Sequence, residues 1–341
     1  MAFALPSRRL TIGIGIALVA AVAMAVAALV LLHDEEIPAS GDLIAYGCRE
    51  PKNVWYAICV IRQDGTERER LTTRLPTSGA AWSPDGQRIA FTRHQEVGES
   101  TKFTDDDVFV MDADGDGVRQ LTEENPGFHS GQPTWSPDGR EIAFVRGPAL
   151  AAGIGQPGSL FVMAADGSDV RRLTRGALDS GPAWSPDGRE IVFSRANDFN
   201  SPRGIWVVAV AGGEPRQLTR ATDFFDTFPA WSPDGTRIAF ARAIPLQSEF
   251  DGKAAIHVLN RDGTGLELVL EHQHFARAPL GLAWSPDGRT IAFETSPLPE
   301  CTAIALVDVE TAAVRPLTSC TKQSESAVSP AWQPDADAGK P

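Results

Sequence analysis

The pentapeptide Trp-Ser-Pro-Asp-Gly occurs five times, at Trp82, Trp135, Trp184, Trp231 and Trp284, and a worn sixth copy closes the series as Trp332-Gln333-Pro334-Asp335. Successive tryptophans stand 53, 49, 47, 53 and 48 residues apart. A repeat of that length marks a supersecondary unit that cannot bury its own apolar face and has to stack on its neighbours. An alternating run follows each pentapeptide, as in Arg88-Ile89-Ala90-Phe91 and Thr290-Ile291-Ala292-Phe293, and predicts a β-strand. Ser-Pro-Asp-Gly supplies a preset φ at Pro, a side chain that bonds its own backbone at Asp and a positive φ at Gly. The tryptophan strand and its successor are therefore expected to form a hairpin. A third strand such as Val108-Phe109-Val110-Met111 follows, then a second tight turn such as Ala165-Asp166-Gly167. A fourth strand ends in Leu-Thr at Leu121-Thr122, Leu173-Thr174, Leu218-Thr219 and Leu317-Thr318.

Four antiparallel strands with two apolar faces predict the blade of a β-propeller. Leu43-Ile44-Ala45-Tyr46 matches the second strand but has no tryptophan strand before it, whereas Ser329-Pro330-Ala331-Trp332 is a tryptophan strand with nothing after it. Joined, they give a composite sixth blade that closes the ring and hides the sheet edges. The expected fold is all-β, a six-bladed propeller of four-stranded antiparallel blades over residues 41–335 with a disordered tail at 336–341.

The run Pro-x-Trp-Ser-Pro-Asp-Gly-x-x-Ile-Ala-Phe, followed by an apolar strand, Asp-Gly and Arg-x-Leu-Thr, resembles the TolB-type β-propeller repeat from about residue 41 to residue 335. That resemblance implies a scaffold, found in the family either alone or fused to other domains such as α/β-hydrolase peptidases. The family's namesake carries a further N-terminal α/β domain and works in a periplasmic cell-envelope complex. Only a short spacer precedes the first strand here, so the resemblance is to the propeller alone.

Residues 11–32 are apolar or small throughout, preceded by Arg8 and Arg9 and followed by His33-Asp34-Glu35-Glu36. The stretch exceeds the apolar region of a secretory signal and matches a bilayer span, which favours an uncleaved transmembrane anchor over a cleaved signal. The positive-inside rule then puts residues 1–10 in the cytoplasm and, after a spacer at 33–40, the propeller outside. Four cysteines agree with an oxidising compartment. Of the three pairings that four cysteines allow, Cys48 with Cys59 and Cys301 with Cys320 is preferred, because each pair lies across a hairpin. A formal charge of −13 argues against nucleic acid and anionic lipid as partners.

Strand polarity sends the Ser-Pro-Asp-Gly and Asp-Gly turns to one face, and the variable second-to-third-strand and interblade loops to the other. Binding residues are drawn disproportionately from variable loops on a rigid scaffold, so that face and the channel mouth are the expected site. Interblade candidates are Phe128 and His129, then Phe224, Phe225, Asp226 and Phe228, then His272, His274 and Phe275. The other loops add Phe103, Asp105, Asp106, Phe199, Phe250 and Asp251. Aromatics beside polar groups suit peptide or sugar recognition, although each phenylalanine taken singly also fits as packing between blades. The histidines do not fall at equivalent repeat positions, so a metal held by them with Asp226 is not expected. Asp112, Asp114 and Asp116, with Glu123 at the twelfth place, match the EF-hand loop pattern, but the flanks are strands and Arg119 sits inside the loop. A solvated turn is expected there, and weak calcium binding is the one cofactor left open. Arg93, Arg146, Arg195 and Arg242 each stand two residues beyond the phenylalanine of their strand and read as structural.

Two functions follow. The first is a membrane-anchored extracytoplasmic module without catalysis that holds a cell-envelope protein, peptide or glycan. The alternative is a propeller enzyme, a glycan lyase or hydrolase, with its site at the channel mouth. Absence of a Gly-x-Ser-x-Gly elbow favours the first.

Overall fold

The computed structural model describes residues 41–49, 56–72, 77–96, 103–123, 128–148, 158–176, 178–198, 201–220, 222–243, 254–271, 281–298, 301–319 and 326–335. The expected membrane segment at 11–32, the spacer and the tail at 336–341 lie outside them. Among the described residues no helix is long and apolar enough to cross a membrane.

Among the described residues twenty-four strands run in chain order. They are β1 (Leu43–Arg49), β2 (Ala57–Arg62) and β3 (Glu69–Arg70), followed by β4 (Thr77–Trp82), β5 (Arg88–Glu96), β6 (Phe103–Asp112) and β7 (Arg119–Gln120). Next come β8 (Phe128–Trp135), β9 (Glu141–Pro148), β10 (Ser159–Ala164) and β11 (Arg171–Arg172), then β12 (Asp179–Trp184), β13 (Glu190–Arg195), β14 (Gly204–Ala209) and β15 (Arg216–Gln217). The series ends with β16 (Phe225–Trp231), β17 (Arg237–Ala243), β18 (Ala254–Asn260), β19 (Glu267–Leu270), β20 (Leu282–Trp284), β21 (Thr290–Leu298), β22 (Cys301–Asp308), β23 (Val314–Pro316) and β24 (Ser326–Trp332). They pair into six four-stranded sheets, five of them consecutive and the sixth ordered β24-β1-β2-β3. The composite blade expected from the sequence closes the ring, with Trp332 opposite Ile44.

The Ile-Ala-Phe alternation divides each blade between two neighbours. Ile142 and Phe144 pack into the interface with the first blade, while Ala143 faces the third. Ile238 and Phe240 likewise face the third blade and Ala239 the fifth. A large pair on one face and a small residue on the other let the Ile and Phe of each blade fill the space left over the preceding blade's alanine or valine. Among the described residues six apolar clusters result, one per interface, and each buries one repeat tryptophan. The indole N–H of Trp184 donates to the Thr134 carbonyl, Trp284 to Ala230 and Trp332 to Ala283, so these rings also bridge blades.

Each Ser-Pro-Asp-Gly turn is closed by its own side chains. In the third blade Ser185 Oγ donates to Asp187 Oδ1 at 2.6 Å and accepts from the Glu190 amide at 2.9 Å, and Gly188 has φ +70°. Burial raises the Asp187 carboxyl, but hydrogen bonds from Ser185, the Arg189 amide and Arg261 outweigh it and hold the group at about 2, below the ordinary 3.8. The Ser136 and Ser232 hydroxyls lower Asp138 and Asp234 in the same way. A carboxyl depressed in the folded state adds stability that is complete above the unfolded value and is lost as pH falls through the folded one. Thermal unfolding followed by circular dichroism is therefore expected to show a falling Tm between about pH 4 and pH 2. The deficit of Ser185→Ala is expected to be largest above pH 4 and to narrow by pH 2.

The Leu-Thr motif proves to lie beyond the fourth strand, which in most blades is only two residues long. The threonine ties that strand's end to the third strand: Thr122 Oγ1 accepts from the Val108 amide at 3.0 Å, Thr174 from Leu160 and Thr219 from Ile205. Cys48 and Cys59, partners across β1 and β2, form a disulfide. Cys301 is also disulfide-bonded, and Cys320 lies outside the described residues.

Candidate functional site

The first strand of every blade lines the central channel, which holds a cavity of about 520 Å³. Its wall repeats one irregularity. In β4 the pairing with β5 shifts between Ser78 and Ala81, and the same shift recurs at Gly131/Thr134, Ser180/Ala183 and Thr227/Ala230. The residue three before the tryptophan takes a left-handed conformation at Gly79, Gln132, Gly181, Phe228 and Ser329. Glycine does so without steric cost, whereas Gln132, Phe228 and Ser329 do so under strain, most of all the bulky Phe228 at φ +52°. Hydrogen bonds hold the bulges to one another: Thr92 Oγ1 accepts from the Gln132 amide, and Gln132 Oε1 accepts from the Gly181 amide.

Outside this wall sits a ring of arginines. Arg242 donates from Nε and Nη2 to the two oxygens of Asp226 at 2.7 and 2.8 Å, and Arg195 binds Asp179 at 2.6 and 2.9 Å. Arg146 Nε donates to Ser130 Oγ, and Arg93 stands opposite Thr77. Each guanidinium also lies over an aromatic ring, Arg195 over Phe193 and Arg242 over Phe240 among them. The structural reading of these four arginines matches their contacts.

Several expected loop residues are strand residues. Phe128 and His129 open β8, while Phe225, Asp226 and Phe228 lie in β16. Phe103, Asp105 and Asp106 belong to β6. Asp226 is fully buried with both oxygens on Arg242, where it serves the framework. Phe224 lies under Arg242, 5.0 Å from its guanidinium carbon. Phe128 is exposed, and Phe225 is half-buried. Three candidates line the cavity, Asp106, His129 and Phe228. His129 is buried, and its Nδ1 donates to the Pro148 carbonyl at 3.2 Å. His272, His274, Phe275, Phe199, Phe250 and Asp251 lie outside the described residues.

The Asp112–Asp116 segment is a tight turn in which the Asp112 amide donates to the Asp116 carbonyl at 2.8 Å. Asp114 Oδ1 accepts from the Asp116 amide. Among the described residues no group of three or more His, Cys, Asp or Glu side chains is arranged to hold a metal ion.

One constellation at the cavity was not anticipated as a group. Ser78 Oγ lies 3.1 Å from His94 Nε2, and His94 Nδ1 lies 2.6 Å from Asp106 Oδ1. All three are buried, at 7%, 8% and 6% exposure, and Ser78 and Asp106 line the cavity.

The chain shares stretches of sequence and its fold with known proteins. It is 27% identical over 104 residues to the protein named uncharacterized peptidase YuxL of Bacillus subtilis, a match covering 30% of this chain and 15% of that protein. Among solved structures it resembles TolB from Acinetobacter baumannii, with TM-score 0.67, 20% identity and coverage of 86% of this chain and 67% of that one. A chain of a nidogen/laminin complex superposes with TM-score 0.61 and 11% identity over 86% of this chain and 98% of that one. At these identities the two structures share the fold, and the peptidase match reaches only a small part of its protein. The TolB beta propeller domain model matches residues 77–200 and 176–338, and the chain belongs to that family.

Proposed function

We propose that this chain is an extracytoplasmic binding scaffold, tethered by its apolar segment at 11–32, that holds a protein segment of the cell envelope in the mouth of its channel. The observation that carries this reading is the strained wall. A phenylalanine kept at φ +52° beside a 520 Å³ cavity departs from the glycine that blades one and three use at the same place. Strain of this kind, of order 1–3 kcal/mol, persists where the surroundings over-determine it and clusters at ligand sites. Backbone bulges, prolines, alanines and the repeat tryptophans give much of the wall an apolar and firm surface, which suits a largely apolar peptide segment entering as a strand or turn. The Cys48–Cys59 disulfide supports an oxidising compartment. The occurrence of a chain of this fold in the nidogen/laminin complex supports a role in protein binding.

The test is photocrosslinking in cells from the full-length chain, with a benzophenone amino acid placed at Phe228 or, as control, at exposed Val170 on the turn face. Adducts to one envelope protein from position 228 and none from 170 are expected. Adducts from 170 alone, or equal adducts from both, would sink the channel-mouth reading.

A further inference from the structure

Ser78, His94 and Asp106 come from three neighbouring strands, β4, β5 and β6 of the first blade, and meet on the channel side. An ionised carboxylate can only accept, so the 2.6 Å contact with Asp106 Oδ1 fixes the His94 proton on Nδ1. In the neutral imidazole Nε2 then has its lone pair toward the Ser78 hydroxyl, 3.1 Å away. That is the arrangement that makes a serine hydroxyl a nucleophile: a base within reach of Oγ and a carboxylate fixing the base's tautomer.

The repeat supplies an internal control. Three residues beyond the strand phenylalanine, where the first blade has His94, the next three blades have Gly147, Ala196 and Ala243. Two residues before the third strand's leading aliphatic, where it has Asp106, those blades have Gly158, Arg203 and Ala254. The third blade keeps a hydroxyl at Ser180 but lacks both partners. The propeller therefore builds the same strands without this histidine or this aspartate, and only one blade combines all three groups. The Arg–Asp pairs of the framework use a different layer, one residue earlier on each strand, as Asp226 opposite Arg242 illustrates.

We propose that Ser78 and His94 form an acyl-transfer site at the channel mouth, with Asp106 as positioning residue, that hydrolyses carboxylic esters small enough for the cavity. Ser78 Oγ bonds to the ester carbonyl carbon while its proton passes to His94 Nε2. The carbon–alkoxy bond then breaks, and the leaving alcohol takes that proton, leaving an acyl-Ser78. Water attacks the acyl carbon, giving its proton to His94, which returns it to Ser78 as the carboxylic acid departs. Ester and water become acid and alcohol, with no oxidant or reductant needed. Tyr56 lines the same cavity and carries a hydroxyl of the kind that stabilises a developing oxyanion. This inference does not rest on the scaffold reading, and the crosslink from position 228 reports on that reading separately.

The experiment uses the full-length chain in detergent, with a fluorophosphonate as covalent probe and p-nitrophenyl acetate as substrate. Peptide mass spectrometry is expected to find a phosphonyl adduct on Ser78, absent in Ser78→Ala. Asp106→Asn is expected to lower kcat by about 10⁴-fold with KM little changed, the signature of a mis-set histidine tautomer. Ser78→Ala removes a single hydroxyl, so it reports even where Asp106→Asn does not fold. An unlabelled Ser78 in folded protein, or ester hydrolysis equal in wild type and Ser78→Ala, overturns the proposal.

Discussion

Asp226→Ala lowers the stability of the propeller by about 3 kcal/mol, the lower end of the range for breaking a buried ion pair. The aspartate has no exposed surface, and Arg242 retains 15% of its side-chain exposure. Removing the carboxylate strands a guanidinium between Phe224 and Phe240. Its remaining access to water is what keeps the loss at the lower end. Burying two charges is itself expensive, so Asp226→Ala combined with Arg242→Met is expected to recover most of the loss. Urea unfolding followed by tryptophan fluorescence measures both variants. A loss under 1 kcal/mol for Asp226→Ala would mean that the pair is solvated and that Asp226 is free to meet a ligand after all.

Asp226 also shows where sequence reading reached its limit. The repeat fixed the number of blades, the hairpins and the closing seam, because Trp-Ser-Pro-Asp-Gly and Ile-Ala-Phe carry turn chemistry and strict alternation. The stretch before each tryptophan carries neither. In Phe225-Asp226-Thr227-Phe228-Pro229 the pairing slips between Thr227 and Ala230, which puts the side chains out of phase, and proline within a run argues against a strand. These residues therefore look like loop and are in fact channel wall. His129 and Phe228 line the cavity as strand residues, which the sequence did not display. The grouping of Ser78, His94 and Asp106 was less visible still. His94 stands 16 residues from Ser78, diagonally across one hairpin, and 12 from Asp106, its direct partner on the next strand. The signal was available only by aligning the blades and noticing that the next three have Gly or Ala in place of His94 and Gly, Arg or Ala in place of Asp106.

Phe193→Ala is expected to lower stability by about 3–5 kcal/mol, the range for emptying an aromatic site in a closed core. Phe193 has no exposed surface and packs with Trp184, Ala143, Val145 and Leu160 between the second and third blades. Its neighbours are strand residues pinned by ladders on both sides, so the interface cannot collapse into the cavity. The closed ring determines how that loss is expressed. In an open array of repeats a weakened interface lets the end units fray, and unfolding broadens. Here the third blade is held from both sides, and the composite sheet ties β24 to β1, so neither chain end offers a free blade to detach. The urea midpoint should therefore fall with the slope m unchanged. A reduced m with a second transition would show that the ring opens at the β24–β1 seam before the blades unfold. That outcome would place the weakest link in the single strand supplied by the C-terminal segment and not in the interblade cores.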